Sequence, residues 1–160
     1  MTHTAIFPGT FDPITYGHED LIRRATQIFA KVIIAIAENK NKLPLFSLQQ
    51  RIDMAKQALH QYQNIKVIGF SNLLVDCASE HNANIIIRGV RAASDFEYEL
   101  QLANMNRSLN PQLETMFLIP AEKYSYLSSS LVKEIARLNG NISSFVNKDV
   151  ANALKGAVWR

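Results

Sequence analysis

Residues 8–18, PGTFDPITYGH, hold the side chains best suited to chemistry in this chain. Gly9, Thr10, Thr15 and His18 lie between a short apolar run and a segment with helical periodicity. A glycine-containing turn from a strand into a helix is a ready anion site, because the first-turn N–H groups lack partners and the helix dipole favours negative charge. The histidine and the two hydroxyls therefore predict phosphate chemistry on a nucleotide. A lone histidine here would more often cap the helix or fill the core, but its place after Pro-Gly-Thr favours the chemical role.

Further cations and hydroxyls follow other apolar runs. Lys42 comes after residues 32–36, Arg88 and Arg91 come after residues 85–87, and a serine-rich segment, residues 124–130, comes after residues 116–119. In an open parallel sheet, ligands bind beyond the carboxyl ends of the strands, so these groups should converge on one rim. We predict that they form a site for a polyanionic ligand.

Each of these groups also has an ordinary explanation. Lys42 could be a solvated loop lysine, and the two arginines could pair at the surface with Glu97 or Glu99. One of the three serines could be a helix N-cap, which serine favours, and a cap needs only one of them. Two arginines on either side of a glycine, directly after a buried strand, are less easily explained by surface pairing.

The elements that must position these groups alternate between strand and helix patterns. Continuous apolar runs suit strands that are buried on both faces of a parallel sheet, and residues 65–68, with one lysine, suit an edge strand. Helical stripes separate the runs. The pattern predicts an α/β fold, a Rossmann-like doubly wound parallel sheet of five strands with helices on both faces, formed as a single domain over residues 1–160.

Two segments match the capping box, Ser47 to Gln50 and Ser94 to Glu97. The helix expected over residues 96–109 has two apolar stripes rather than one. A helix of this kind is buried on more than one face, so it is either a central core helix or part of a subunit interface.

Composition excludes several classes of protein. The chain has 160 residues, 48% hydrophobic and 19% charged, and a net charge of +3, which is too weak to indicate nucleic-acid binding. No apolar run approaches the roughly 18 residues of a membrane helix, and no secretory signal is visible. Cys77 is the single cysteine, which favours a cytoplasmic location and an inert core thiol. We therefore expect neither a membrane nor a nucleic-acid partner.

Several known motifs are missing or incomplete. The chain has neither the G-x-x-x-x-G-K-[ST] loop nor G-x-G-x-x-G, which removes the main support for P-loop and dinucleotide-binding readings. Ser130-x-x-Lys133 matches one β-lactamase element without its companions, and no His/Cys cluster has zinc spacing.

Two other segments do match a family. Thr15-Tyr16-Gly17-His18 resembles the T/H-x-G-H signature of the nucleotidyltransferase superfamily, and LSSSLVK at residues 127–133 resembles its second signature. With Arg88-Gly89-Val90-Arg91 and DFEYE at residues 95–99, the chain is similar to bacterial phosphopantetheine adenylyltransferases over nearly its whole length. Leu127 stands where isoleucine is usual, a swap that conserves volume.

The resemblance implies transfer of AMP from ATP to 4′-phosphopantetheine, giving dephospho-coenzyme A and pyrophosphate in coenzyme A biosynthesis. It also implies Mg²⁺, a cytoplasmic homohexamer and feedback inhibition by coenzyme A. The implied catalytic residues are His18, Lys42 and Arg91. The implied phosphopantetheine contacts are Thr10, Lys42, Leu74 and Arg88. The implied ATP contacts are Thr10, Phe11, His18, Gly89, Val90, Arg91, Glu99, Tyr124, Ser125, Tyr126, Leu127, Ser128, Ser129 and Ser130.

The phosphate of phosphopantetheine is already ionised at neutral pH, so direct in-line attack needs no strong base and no covalent enzyme intermediate. Mg²⁺ keeps several water ligands and is coordinated by substrate phosphates, so we expect no protein side chain to be a metal ligand. Three alternatives stay open: a sibling nucleotidyltransferase acting on nicotinamide mononucleotide or glycerol 3-phosphate, a non-catalytic sensor of nucleotide or coenzyme A, and a nucleic-acid-binding module.

Overall fold

The computed structural model describes residues 2–159. Five strands pair in parallel, in the order β3-β2-β1-β4-β5. Their bounds are β1 Thr4–Gly9, β2 Lys31–Ala37, β3 Ile65–Phe70, β4 Ile85–Gly89 and β5 Glu114–Leu118. The predicted five-stranded parallel sheet is confirmed, and the lysine-bearing strand β3 does lie at an edge.

Helices and short 3-10 turns connect the strands. The helices are α1 Tyr16–Ile28, α2 Leu48–Ala58, α3 Leu74–Glu80, α4 Ala93–Leu109, α5 Ser129–Arg137 and α6 Lys148–Lys155. The 3-10 turns are Lys40–Lys42, between β2 and α2, and Glu122–Tyr124, between β5 and α5. Among residues 2–159, no helix has both the length and the apolar character that crossing a bilayer requires.

The sheet is buried on both faces because alternate side chains of each central strand enter different cores. In β2, Val32, Ile34 and Ile36 pack with α1, α2, α5 and α6, whereas Ile33 and Ala35 pack with α3. This explains why these strands are continuous apolar runs without a polar alternation. Cys77 lies in α3 with 1% of its surface exposed, as predicted for a core thiol.

The strand order reverses between β1 and β4. From β1 the chain builds outward through β2 to β3, then returns to place β4 on the other side of β1. The carboxyl ends at this point are Gly9 and Gly89. A crevice therefore opens beyond them, which is where ligands bind in sheets of this type.

Helix starts follow the predicted capping pattern in one case and depart from it in another. The Ser47–Gln50 capping box is present at α2. The box at Ser94–Glu97 is wrong, because α4 begins earlier and its N-cap, Ala92, makes no side-chain hydrogen bond. Asp95 instead accepts the Arg91 N–H at 3.1 Å.

Helix α4 is not a central core helix within one chain, so that alternative is wrong. Its single buried residue is Glu99. Its apolar side chains are largely exposed, among them Phe96, Tyr98, Leu100, Met105 and Leu109. The two stripes therefore lie on the outside of this chain, as the interface alternative requires.

Candidate active site

A pocket of about 270 Å³ lies beyond the carboxyl ends of β1 and β4, at the strand-order reversal. The predicted site residues that line it are Phe11, His18, Arg88, Gly89, Arg91, Glu99, Tyr124, Leu127, Ser128 and Ser129. Thr15 and Gly17 also line it, so the N-terminus of α1 faces the pocket. Three parts of the chain, those that follow β1, β4 and β5, thus bring cations, hydroxyls and a helix N-terminus together.

His18 is the third residue of α1 and takes part in a capping box. Its backbone N–H donates to Thr15 Oγ1, and its Nδ1 accepts the Thr15 backbone N–H at 3.0 Å. Burial, with Arg91 and Arg88 nearby, lowers the pKa of His18 from 6.5 to about 4. Because Nδ1 is an acceptor and the ring is neutral at physiological pH, the proton lies on Nε2, which can donate a hydrogen bond to an anion.

Phe11 supports the ring of His18. The two ring centroids are 4.8 Å apart, and Phe11 is 3% exposed in a left-handed conformation (φ 47°). A Cβ at Gly9 would lie 2.8 Å from the Phe11 ring, so this close approach requires glycine. Gly9 therefore leaves room for the Phe11 ring, which packs against the His18 ring.

Arg88 and Glu99 form a bidentate ion pair at the pocket wall. Arg88 Nε and Nη2 donate to the two carboxylate oxygens, each at 2.7 Å, and Nη1 donates to the carbonyl of Pro8 at 3.1 Å. Glu99 is 7% exposed. Such a fork holds the guanidinium plane in place. The surface-pairing alternative was thus right about the partner, but the pair lines the pocket and stays available to ligand on the arginine side.

Arg91 joins the loop before α4 to the segment before α5. Its Nε donates to Asp95 at 3.2 Å, and its Nη1 donates to the carbonyl of Leu127 at 3.0 Å. Its side chain remains 39% exposed. The arginine is therefore anchored yet still open to solvent, as a group that binds phosphate must be.

The three consecutive serines, residues 128–130, differ in their contacts. Ser128 is the N-cap of α5 and accepts the Leu131 N–H at 3.1 Å, as predicted for one of the three serines. Ser129 Oγ donates to the carbonyl of Pro13 at 2.7 Å, which links α5 to the segment between β1 and α1. Ser130 is exposed.

Seven predicted site residues lie outside the pocket lining: Thr10, Lys42, Leu74, Val90, Ser125, Tyr126 and Ser130. Lys42 is exposed on the 3-10 turn after β2, and Leu74 is half-buried at the start of α3. Thr10 is half-buried, and its Oγ1 accepts a hydrogen bond from Asn39 at 3.1 Å. Within this single chain, three of the four implied phosphopantetheine contacts, Thr10, Lys42 and Leu74, therefore do not line the pocket, and the fourth, Arg88, does.

Comparison with known proteins identifies the family. The family model described as "Cytidylyltransferase-like" matches residues 6–135. A phosphopantetheine adenylyltransferase from Methylococcus capsulatus is 54% identical over 154 residues, 96% of this chain and 95% of that protein. The chain belongs to the phosphopantetheine adenylyltransferases, within the cytidylyltransferase-like family. The family predicted from the two signatures together with residues 88–91 and 95–99 is confirmed.

A solved structure with much lower sequence identity has the same fold as this adenylyltransferase. It is described as "a Putative Nicotinate-nucleotide Adenylyltransferase" from Vibrio parahaemolyticus. The two chains are 14% identical with a TM-score of 0.74, over 97% of this chain and 93% of that one. At that identity the likeness extends to the fold only.

Two buried charged residues of the adenylyltransferase, Asp12 and Arg51, have roles that the sequence did not reveal. Asp12, 4% exposed, accepts the backbone N–H groups of Leu45 and Phe46 and the Nζ of Lys133. Arg51 is 2% exposed and donates to four carbonyl groups. A charged residue inside a helix stripe otherwise made of apolar residues was the available signal for Arg51.

The side chains of the adenylyltransferase pocket indicate how a magnesium ion could be held there. Across residues 2–159, no group of three or more His, Cys, Asp or Glu side chains is arranged to hold a metal ion. The two pocket carboxylates, Asp95 and Glu99, are paired with Arg91 and Arg88. The pocket thus offers cationic groups that suit nucleotide phosphates and hydroxyl groups, and the ligands of a magnesium ion there would come mainly from those phosphates and water.

Proposed function

We propose that this chain transfers AMP from ATP to 4′-phosphopantetheine, giving dephospho-coenzyme A and pyrophosphate in coenzyme A biosynthesis. The observation that carries the proposal is the convergence of His18, Arg88, Arg91 and Ser129 with the α1 N-terminus on one pocket. The name of the 54% identical relative supports the choice of acceptor.

The reaction is a direct displacement at the α-phosphorus of ATP. An oxygen of the phosphopantetheine phosphate forms the new P–O bond, and the bond to the bridging oxygen of the leaving pyrophosphate breaks. The acceptor phosphate is ionised at neutral pH, so no proton is removed and no general base is needed. A neutral His18 agrees with this, since it can donate through Nε2 but has no free nitrogen to accept a proton.

Positioning and electrostatics then supply the catalysis. His18 and the N-terminus of α1 line the pocket, and we assign His18 Nε2 and this helix end to the α-phosphate, where charge builds in the transition state. Lys42 and Arg88 hold the attacking phosphate, and Arg91, Ser129 and Ser130 hold the β- and γ-phosphates. The remaining nucleotide contacts are Thr10, Phe11, Gly89, Val90, Glu99 and the segment 124–128, with Thr10 and Leu74 also touching phosphopantetheine.

Mg²⁺ is proposed as the cofactor. Bound to the β- and γ-phosphates, it would neutralise part of the charge on the leaving pyrophosphate. Ser129, which lines the pocket, is the hydroxyl that we assign to those phosphates.

We also propose that the protein is a cytoplasmic homohexamer inhibited by coenzyme A. The exposed apolar side chains of α4, such as Tyr98, Met105 and Leu109, support association between copies. The number of subunits and the feedback rest on the family resemblance alone. Sedimentation and inhibition by added coenzyme A test them separately.

The test of the reaction is incubation with ATP, Mg²⁺ and phosphopantetheine, followed by mass detection of dephospho-coenzyme A. Parallel reactions contain nicotinamide mononucleotide or glycerol 3-phosphate as the acceptor, with pyrophosphate release as the common readout. Product with phosphopantetheine alone is expected. Turnover only with another acceptor would identify a sibling enzyme, and tight binding of both substrates without turnover would identify a sensor.

A further inference from the structure

Arg51, in α2, is a buried charged side chain that forms no ion pair among residues 2–159. Its guanidinium donates to four backbone carbonyls, those of Thr10 at 2.9 Å, Ala37 at 2.7 Å, Glu38 at 3.0 Å and Phe46 at 3.1 Å. Burying an unpaired charge is unfavourable unless its hydrogen bonds are satisfied. The four bonds meet that requirement and tie three chain segments to one group.

Three of the four carbonyls lie at the two ends of one loop, with Ala37 and Glu38 at its start and Phe46 at its end. The fourth, that of Thr10, belongs to the segment between β1 and α1. The loop, residues 38–46, runs from the end of β2 to the start of α2 and carries Lys42 on its 3-10 turn. Left-handed residues, Asn39 (φ 51°) and Leu43 (φ 45°), flank the turn. The Asn39 side chain donates to Thr10 Oγ1 at 3.1 Å, a second contact between this loop and the segment that joins β1 to α1. The path of this loop therefore depends on its anchors.

Asp12 closes the far end of the same loop. Its carboxylate accepts the N–H groups of Leu45 at 2.8 Å and Phe46 at 3.0 Å, and it pairs with Lys133 Nζ at 2.7 Å. Arg51 and Asp12 thus fix both ends of loop 38–46 next to the segment that joins β1 to α1.

We infer that Arg51 is a positioning residue for the acceptor phosphate: it sets the path of loop 38–46 so that Lys42 meets phosphopantetheine. The inference rests on the proposed function, which gives Lys42 that contact. Arginine suits the task because its planar fork carries five donors, whereas the three donors of a lysine surround one nitrogen and cannot span four carbonyls on three segments.

The test is a double-mutant cycle of Arg51→Lys with Lys42→Ala. Arg51→Lys keeps the charge and loses the fork. We expect kcat/KM for phosphopantetheine to fall about 10²-fold, the scale of a displaced positioning group, while the Kd of ATP measured by calorimetry stays within about twofold. Because Arg51 acts through Lys42, the double variant should lose little more than Lys42→Ala alone, which is the non-additivity expected of coupled residues.

Hydrogen exchange of the backbone amides of residues 38–46 reports the loop without any substrate and should speed up in Arg51→Lys. Arg107→Lys is the matched control, since Arg107 is exposed and pairs only with Glu114 in the described chain. It should change neither measurement. If Arg51→Lys does not fold, Arg51→Gln replaces it in the cycle, because the neutral amide keeps donors for the loop carbonyls without a buried charge.

Two results would overturn the inference: losses that add fully in the double variant, or an equal weakening of ATP and phosphopantetheine. Either would make Arg51 a general support of the fold. The wild-type protein separates this failure from the other one. A wild type that makes no dephospho-coenzyme A refutes the proposed function and the inference together, whereas an active wild type with an unselective Arg51→Lys variant refutes the inference alone.

Discussion

His18 and Glu19 are adjacent in α1, and their pKa values move in opposite directions. Burial and two nearby arginines lower the pKa of His18 to about 4, while burial raises the pKa of Glu19 to about 7, an effect that Asn147 partly opposes. Glu19 Oε2 is buried without a hydrogen-bond partner within residues 2–159. The pair therefore makes opposite contributions to the pH dependence of folding stability.

The magnitudes follow from the difference between folded and unfolded pKa values. Between pH 4 and 6.5 the unfolded chain protonates His18 and the folded chain does not, so acidification through this range lowers the free energy of unfolding by about 2–3 kcal/mol. Between pH 4.5 and 7 the folded chain keeps a proton on Glu19 that the unfolded chain releases. Raising the pH through that range lowers stability by about 2 kcal/mol, with allowance for partial solvent screening.

The two contributions nearly cancel in the wild type between pH 4.5 and 6.5, and single variants should expose each one. His18→Gln preserves the capping-box pattern with Thr15, and we expect its stability to fall as pH rises. Glu19→Gln preserves shape, and we expect its stability to fall as pH decreases. Urea unfolding at intervals from pH 4 to 8 measures both curves relative to the wild type.

Exposed residues of the same types provide the controls. His60→Gln and Glu97→Gln remove a histidine and a carboxylate that lie at the surface, and each should change stability by less than about 0.5 kcal/mol. NMR titration of the His18 ring C–H signals gives an independent measurement. A ring midpoint between pH 6 and 7, or variant curves parallel to that of the wild type, would refute the assignment of a neutral, Nε2-protonated His18.

The remaining predictions concern activity and stability at single positions. His18→Ala should slow pyrophosphate release by about 10²- to 10³-fold, equivalent to about 3–4 kcal/mol, as for the loss of one oxyanion donor; near-normal turnover would remove His18 from the mechanism. Lys42→Ala should weaken phosphopantetheine binding more than ATP binding in calorimetric titrations, and the reverse order would contradict its proposed role. Glu99→Gln should lower the free energy of unfolding by about 2 kcal/mol, because it leaves Arg88 without its bidentate partner. Ser128→Ala should lower it by about 1 kcal/mol through loss of the α5 N-cap, and an unchanged urea midpoint would show that the cap contributes nothing.

Local patterns were enough to predict the secondary structure and the rim that forms the site. The five apolar runs, the Ser47 capping box and the serine cap of α5 each depend on residues within one or two turns of one another. Hydrophobic period and cap chemistry act over that same short range. Parallel pairing then follows from the alternation of strands and helices, and it brings the carboxyl ends of the strands together.

Partner choice depended on long-range packing and could not be obtained from these patterns. Arg88 bonds to Pro8, 80 positions away, and Lys133 bonds to Asp12, 121 positions away. The start of α4 was misplaced because Asp95 bonds back to Arg91, which competes with the expected serine cap. Periodicity marked the two apolar faces of α4, but burial depends on what packs against them, and within one chain little does. Residue type and spacing decide which groups are present at the rim, and only the folded backbone decides which of them are held fixed by a partner and which stay open to a ligand.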